Sequence, residues 1–265
     1  MRQELRPAVR DRYIEELIDR NLLKEFLRSR KISAPKSIVE ERIARAEKLI
    51  TQEGLAFDET LKTLGYTRET FQEEVALPLA WLEHARLVIT DKSIAEYWDR
   101  HRAEFDGTEV RAAHIVKRLP GDAKSPDASA AKQELAVIRE SILTGKATFS
   151  DAAREHSDSP SGKDGGNLGQ FAYRGRMPHD LTKVAFQLKP GDVSQPFETP
   201  FGVHILAVIE IVPGDLSLED ARREIFHELS TKLQAGLITE LRGKATITRP
   251  EQSDKPISSS DAENK

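Results

Sequence analysis

A chain of 265 residues, 38% hydrophobic and 32% charged, is long enough for two domains and too rich in apolar residues to be a disordered polymer. Its 40 Lys and Arg against 44 Asp and Glu leave a net charge of -4, which argues against a duplex-binding protein and gives no reason to expect a nucleic-acid partner. Cysteine is absent, which removes disulfides, thiolate metal sites and cysteine nucleophiles together.

Residues 1–12 are arginine-rich and lack the apolar stretch of a secretory leader, so the chain as written reads as cytoplasmic. No apolar run approaches the ~18–20 residues that cross a bilayer, and no membrane insertion is expected. Tyr13, Ile14, Leu17, Ile18, Leu22, Phe26 and Leu27 then recur at three- and four-residue steps, the period of an amphipathic helix. Ser33 is expected to cap a second helix, with Pro35 in its first turn and a stripe of Val39, Ile43, Ala46 and Ile50 ending at Gly54. A short helix over residues 59–64 stops at Gly65. Thr67 caps a longer one through Phe71, Val75, Trp81, Leu82 and Leu87, bent at Pro78. Residues 93–105 add a helix carrying Ile94, Tyr97 and Trp98. Gly54 and Gly65 are the two glycines of residues 1–105, whereas nine of the fifteen lie in 109–212. Glycine is costly inside helices and useful in turns, so the shift divides a helical part, residues 1–106, from a mixed part, residues 107–213.

The mixed part reads β-α-α-β-α-β-β. Residues 109–118 place Val110, Ala112, His114 and Val116 on one face, a half-buried strand. Helices follow over 127–144, with Gly145 as stop, and over 149–156. A short strand covers 167–171 and a third helix 178–186. Residues 203–212 are almost continuously apolar, as in a central strand. Ser217, with Asp220 three residues on, opens a last helix through Ile225, Leu229, Leu233, Leu237 and Leu241. Within 214–245 it is expected to pack back on the N-terminal helices, making the mixed part an insertion. The Ser-, Pro- and Asp-rich tail, 246–265, is expected to be disordered.

Most familiar sites fail. Gly162, Gly165, Gly166 and Gly169 cluster without the strand-turn-helix setting of a dinucleotide loop, and Lys163 is followed by Asp164, not by the Ser or Thr of a triphosphate loop. His227–Glu228 lacks a second histidine one turn on, and no G-x-S-x-G elbow exists. A Ser-His-Asp hydrolase would have to be assembled from scattered residues. His114 and His204 sit on strands that can be neighbours. Such histidines are commonly hydrogen-bonded core residues, and no third ligand stands at suitable spacing, so no metal site is expected.

The segments RAAHIV (111–116), FSDAA (149–153), HSDSPSGK (156–163), GGNLGQF (165–171), GRM (175–177), VAF (184–186), GDVS (191–194) and TPFGVHI (199–205) occur in order. Together they resemble the parvulin (PpiC-like) family of peptidyl-prolyl cis-trans isomerases, and the flanking helices are similar to those of SurA/PrsA-type foldases. The resemblance implies an α+β fold: a four-stranded, mainly antiparallel sheet with helices, inserted in or following an all-helical chaperone-like domain. It implies that Leu168, Met177, Leu181 and Phe201 line a proline pocket over His114 and His204, with Thr199 bonded into the pair. Ser159 falls where the family carries Cys or Asp, and Leu181 where it typically has Phe, which implies a shallower pocket. The implied activity is acceleration of Xaa-Pro rotation in unfolded or partly folded polypeptides, without cofactor. The alternative is a holdase whose parvulin domain binds peptides with little isomerase activity. The resemblance also points to the periplasm or cell envelope for a chain whose leader has been removed.

Overall fold

The computed structural model describes residues 7–119 and 126–248; most of the expected tail lies outside them. The chain divides into two compact units. One takes the residues up to Ile89 and those from Leu229 onward, the other runs from Thr90 to Glu228.

The first unit is helical: α1 (Pro7–Ser29), α2 (Lys36–Gln52), α3 (Phe57–Thr63) and α4 (Arg68–Val88). Leu23, Leu27, Val39, Phe57, Leu61, Leu79 and Trp81 form its buried interior. Thr67 caps α4, its hydroxyl accepting from the Thr70 N–H while Thr70 returns the bond. Ser33 does not cap α2. Pro35 holds that position with φ -59° and ψ 121°, and no side chain caps the helix. A proline ring drives the residue before it out of helical geometry, so Ala34 cannot open the helix behind a Ser33 cap. α4 continues through Pro78.

The second unit opens with α5 (Asp91–His101), which glycine density alone assigns to the helical part. Then follow β1 (Glu109–Lys117), α6 (Pro126–Leu143), α7 (Phe149–His156), β2 (Asn167–Ala172), α8 (His179–Ala185), β3 (Phe197–Thr199) and β4 (Gly202–Val212). The strands form one antiparallel sheet in the order β2-β1-β4-β3. β1 is not half-buried: from Val110 to Val116 every residue but Arg111 is buried. The reason is a layer on each face. Ile115, Val203 and Ile205 pack with Leu135 and Ile138 of α6 and Ala152 and Ala153 of α7. Val110, Ala112, Leu206 and Val208 pack with Leu181 and Ala185 of α8.

A last helix, α9 (Leu218–Lys244), starts at the reciprocal Ser217–Asp220 cap and serves both units. Its first half buries Ala221 and Ile225. In its second half Ser230 accepts from Trp81 Nε1 at 2.9 Å, and Arg242 bonds Glu15 and Asp19 of α1.

Candidate functional site

Two antiparallel strands bring the histidines together. His114 lies opposite Leu206 and His204 opposite Val116, so the imidazoles are diagonal neighbours on one face of the sheet. Their Nδ1 atoms are 3.4 Å apart. The backbone packs closely against β1 at two points. The Gly166 carbonyl accepts from the His114 N–H, and the glycine's φ of 80° and the 2.3 Å from an added Cβ to His114 O exclude a side chain there. At the turn before β4, Gly202 has φ 136° and leaves 2.2 Å between such a Cβ and Lys117 O.

The loop after α7 is stitched to the end of β1. Ser157 Oγ accepts from the Val116 N–H, the Asp158 N–H donates to Val116 O, and Asp158 accepts from the Arg118 N–H. A short 3-10 turn over residues 160–164 then folds Ser159 and Ser161 together, their hydroxyls 2.9 Å apart. Ser161 Oγ is 3.2 Å from His114 Nε2, and at the other end His204 Nε2 is 2.8 Å from Thr199 Oγ1, which accepts from the Phe201 N–H.

A single chain of hydrogen bonds therefore links Ser159, Ser161, His114, His204 and Thr199. Its polarity follows from burial. Thr199 is 4% exposed, and its O–H finds an acceptor only in His204 Nε2 among the described residues. The protons then run Thr199 to His204, His204 to His114, His114 to Ser161 and Ser161 to Ser159. The reverse order would strand a buried hydroxyl donor, at about 1–3 kcal/mol. Ser159, half-buried at the open end, keeps its O–H to offer.

Burial pulls both imidazoles down to about 4, and each also faces the other rather than a carboxylate. They are neutral near pH 7. Ser161 beside His114 is accordingly no hydrolase dyad, because nothing steadies the imidazolium that such a base must become. Among the described residues no three His, Asp or Glu side chains come together as metal ligands.

Leu168, Met177 and Leu181 join one apolar cluster on the histidine face, together with Phe197. Leu181 is its most buried member of the three, at 4% exposure. Phe201 stands outside that cluster on the β3–β4 turn, 63% exposed. Two members of the site escape the sequence reading. Ser161 completes the relay, and Phe197, directly opposite His204 in the β3–β4 register, stacks on its ring with centroids 5.6 Å apart. Ser161 could have been suspected as the next hydroxyl after Ser159. Phe197 lies on a three-residue strand too short to show a period.

A neutral imidazole pair set under an apolar cluster lacks the primed nucleophile and charged orienting partner of a hydrolase. The family model described as Rotamase, PPIC-type PPIASE domain, matches residues 114–210. The peptidyl-prolyl cis-trans isomerase Pin1 of Malus domestica is 36% identical over 113 residues, which cover 38% of this chain and 93% of that protein. The chain belongs to the PpiC-type, or parvulin, peptidyl-prolyl cis-trans isomerase family. Chaperone SurA of Polaromonas sp. is 35% identical over 144 residues, 53% of this chain and 30% of that one. Foldase protein PrsA of Bacillus subtilis is 32% identical over 147 residues, 55% of this chain and 44% of that one. The matched stretch thus spans less than half the length of these two relatives. The crystal structure of PrsA from Bacillus anthracis superposes with a TM-score of 0.56 over 89% of this chain and all of that one, at 19% identity, and so shares the fold.

Proposed function

We propose that the protein is a foldase: a peptidyl-prolyl cis-trans isomerase acting on Xaa-Pro bonds of unfolded or partly folded chains, with its helical unit holding the client as a chaperone. The names of its relatives, isomerase Pin1, chaperone SurA and foldase PrsA, agree with both halves. The observation that carries the reading is the relay from Thr199 to Ser159 beneath the cluster of Leu168, Met177 and Leu181.

The chemistry needs no bond broken and no cofactor. Amide resonance sets a barrier of about 18–20 kcal/mol, and Xaa-Pro rotation takes tens to hundreds of seconds unaided. Catalysis requires tighter binding of the twisted amide than of either planar form. The apolar cluster would seat the pyrrolidine ring, with Phe201 folding over it from the turn. Twisting the amide ends the conjugation and returns a lone pair to nitrogen. The free Ser159 O–H is a donor held ready for a polar atom of that twisted amide, and the neutral histidines fix its direction without charge.

A protease-coupled assay on a short Xaa-Pro peptide tests this. The wild-type chain should accelerate isomerisation. Ser161→Ala, which cuts the relay, should lower kcat by up to about tenfold, the worth of one hydrogen bond, with KM unchanged. A folded wild type that suppresses aggregation yet leaves the isomerisation rate unchanged would sink the enzymatic half and favour the holdase. Ser159, with neither thiol nor carboxylate, and Leu181, smaller than the Phe typical of the family, are the features on which that second reading rests.

A further inference from the structure

The helical unit holds a cavity of about 580 Å³ walled by α1, the connection to α2, and α4. Leu17, Leu27, Ile32, Leu77 and Ala80 give it an apolar floor, and charges ring its mouth. Two of the rim cations are neutralised: Arg20 by Glu74, and Lys24 by Glu73 at 2.5 Å. The other two, Arg28 and Lys31, have no carboxylate partner among the described residues.

Lys31 is the second observation. It has φ 56°, and it is the one non-glycine with positive φ among the described residues. It ends α1 with its N–H bonded to Arg28 O and the Ile32 N–H bonded to Leu27 O. The same pair of bonds ends α2 at Gly54, α3 at Gly65 and α6 at Gly145, all with positive φ. Glycine is what this geometry favours. At the cavity mouth the chain instead accepts backbone strain and gains an ammonium group. Strain of this kind collects at ligand clamps.

We propose that this cavity is a client-binding site selective for extended polypeptide in which an apolar side chain is flanked by carboxylates. The apolar group fills the floor, and the carboxylates meet Arg28 and Lys31. This deepens the chaperone half of the function proposed above and rests on it.

The test uses two fluorescein-labelled peptides without proline, equal in length and apolar content, one flanked by Asp and Glu and the other by Lys. Because neither contains Xaa-Pro, the outcome does not depend on isomerase turnover, and the Ser33→Trp variant separates this cavity from the isomerase site. By fluorescence anisotropy with the full chain, the acidic peptide should bind about three- to tenfold tighter at low salt, and the difference should shrink as salt rises. Lys31→Gly relieves the strain, so it should keep or raise the melting temperature while losing most of the acidic preference. Lys31→Gly with Arg28→Gln should lose all of it. Ser33→Trp, at an exposed wall position, should fill the cavity and weaken both peptides. Equal affinity for the two peptides, or a preference that survives the double variant, overturns the charge selection. Undiminished binding in Ser33→Trp overturns the location. Binding of neither peptide overturns the chaperone reading itself.

Discussion

His114 and His204 are two imidazoles held neutral by desolvation, and that has a measurable sign. Each is pulled from the ordinary 6.5 to about 4, with burial the first cause and the neighbouring ring adding to it for His204. A histidine whose folded pKa lies below its unfolded value leaves the unfolded chain holding more protons between the two values. Stability therefore falls as pH drops from about 6.5 towards 4, by up to about 1.36 kcal/mol per pH unit per histidine. Isomerase activity should stay flat from pH 8 to about 5 and fall only near 4, where the relay first gains a proton. An acid limb centred near 6.5 in a kcat/KM profile would mean that the imidazoles are open to water, and the relay as described would be wrong. The ordered motifs, through the family they resemble, make His114, His204 and Thr199 legible as a group in the sequence. Ser161 was not legible, because only the 3-10 turn folds it back between Ser159 and the ring.

Turns and edges decide whether the elements hold the pocket in shape. β2 is an edge strand with a register shift opposite Ala112 and Ala113, and its free side carries the carbonyls of Leu168 and Gln170. Arg176 covers them, Nη2 donating to Leu168 O at 2.8 Å and to Gln170 O at 3.1 Å. One guanidinium thus shields the strand from further pairing and pins the loop that presents Met177. Arg176→Ala should raise KM for an Xaa-Pro peptide about three- to tenfold with kcat nearly unchanged, and Arg176→Lys, whose ammonium keeps donors for both carbonyls but loses the planar guanidinium, should fall between. Met1 and Met177 are the two methionines of the chain, so a methyl-labelled sample reports the pocket directly. A Met177 signal that does not move in Arg176→Ala would count against the clamp. Element ends were legible where one residue type dictates them, as at Gly54, Gly65, Gly145 and Thr67. Ser33 misled because a cap was inferred from residue type without the steric veto that Pro35 imposes on its neighbour. β1 reads as half-buried because Arg111 supplies a polar position, whereas α6 and α7 cover one face and α8, more than sixty residues on, covers the other.

At the scale of the molecule, α9 belongs to two cores at once. Its first half buries Ala221 and Ile225, with Arg222 bonded to Asp91 and Glu228 to Arg174. Its second half gives the helical unit Ser230, bonded to the buried Trp81, and Arg242, bonded to Glu15 and Asp19. A chain ending at Glu228 keeps the first set and loses the second. It leaves the indole N–H of Trp81 without its partner and removes the apolar cover supplied from Leu229 onward, so the helical unit should lose at least about 2 kcal/mol. The sheet unit should lose little. The two tryptophans, Trp81 and Trp98, fall one in each unit, which lets fluorescence follow them separately. In a Trp98→Phe background, truncation should lower the urea midpoint reported by Trp81. In a Trp81→Phe background, the midpoint reported by Trp98 should stay put, and isomerisation of a short peptide should persist. If both midpoints fall together, the two units form one cooperative core, and the peptide site depends on a helix half that makes no contribution to its own sheet.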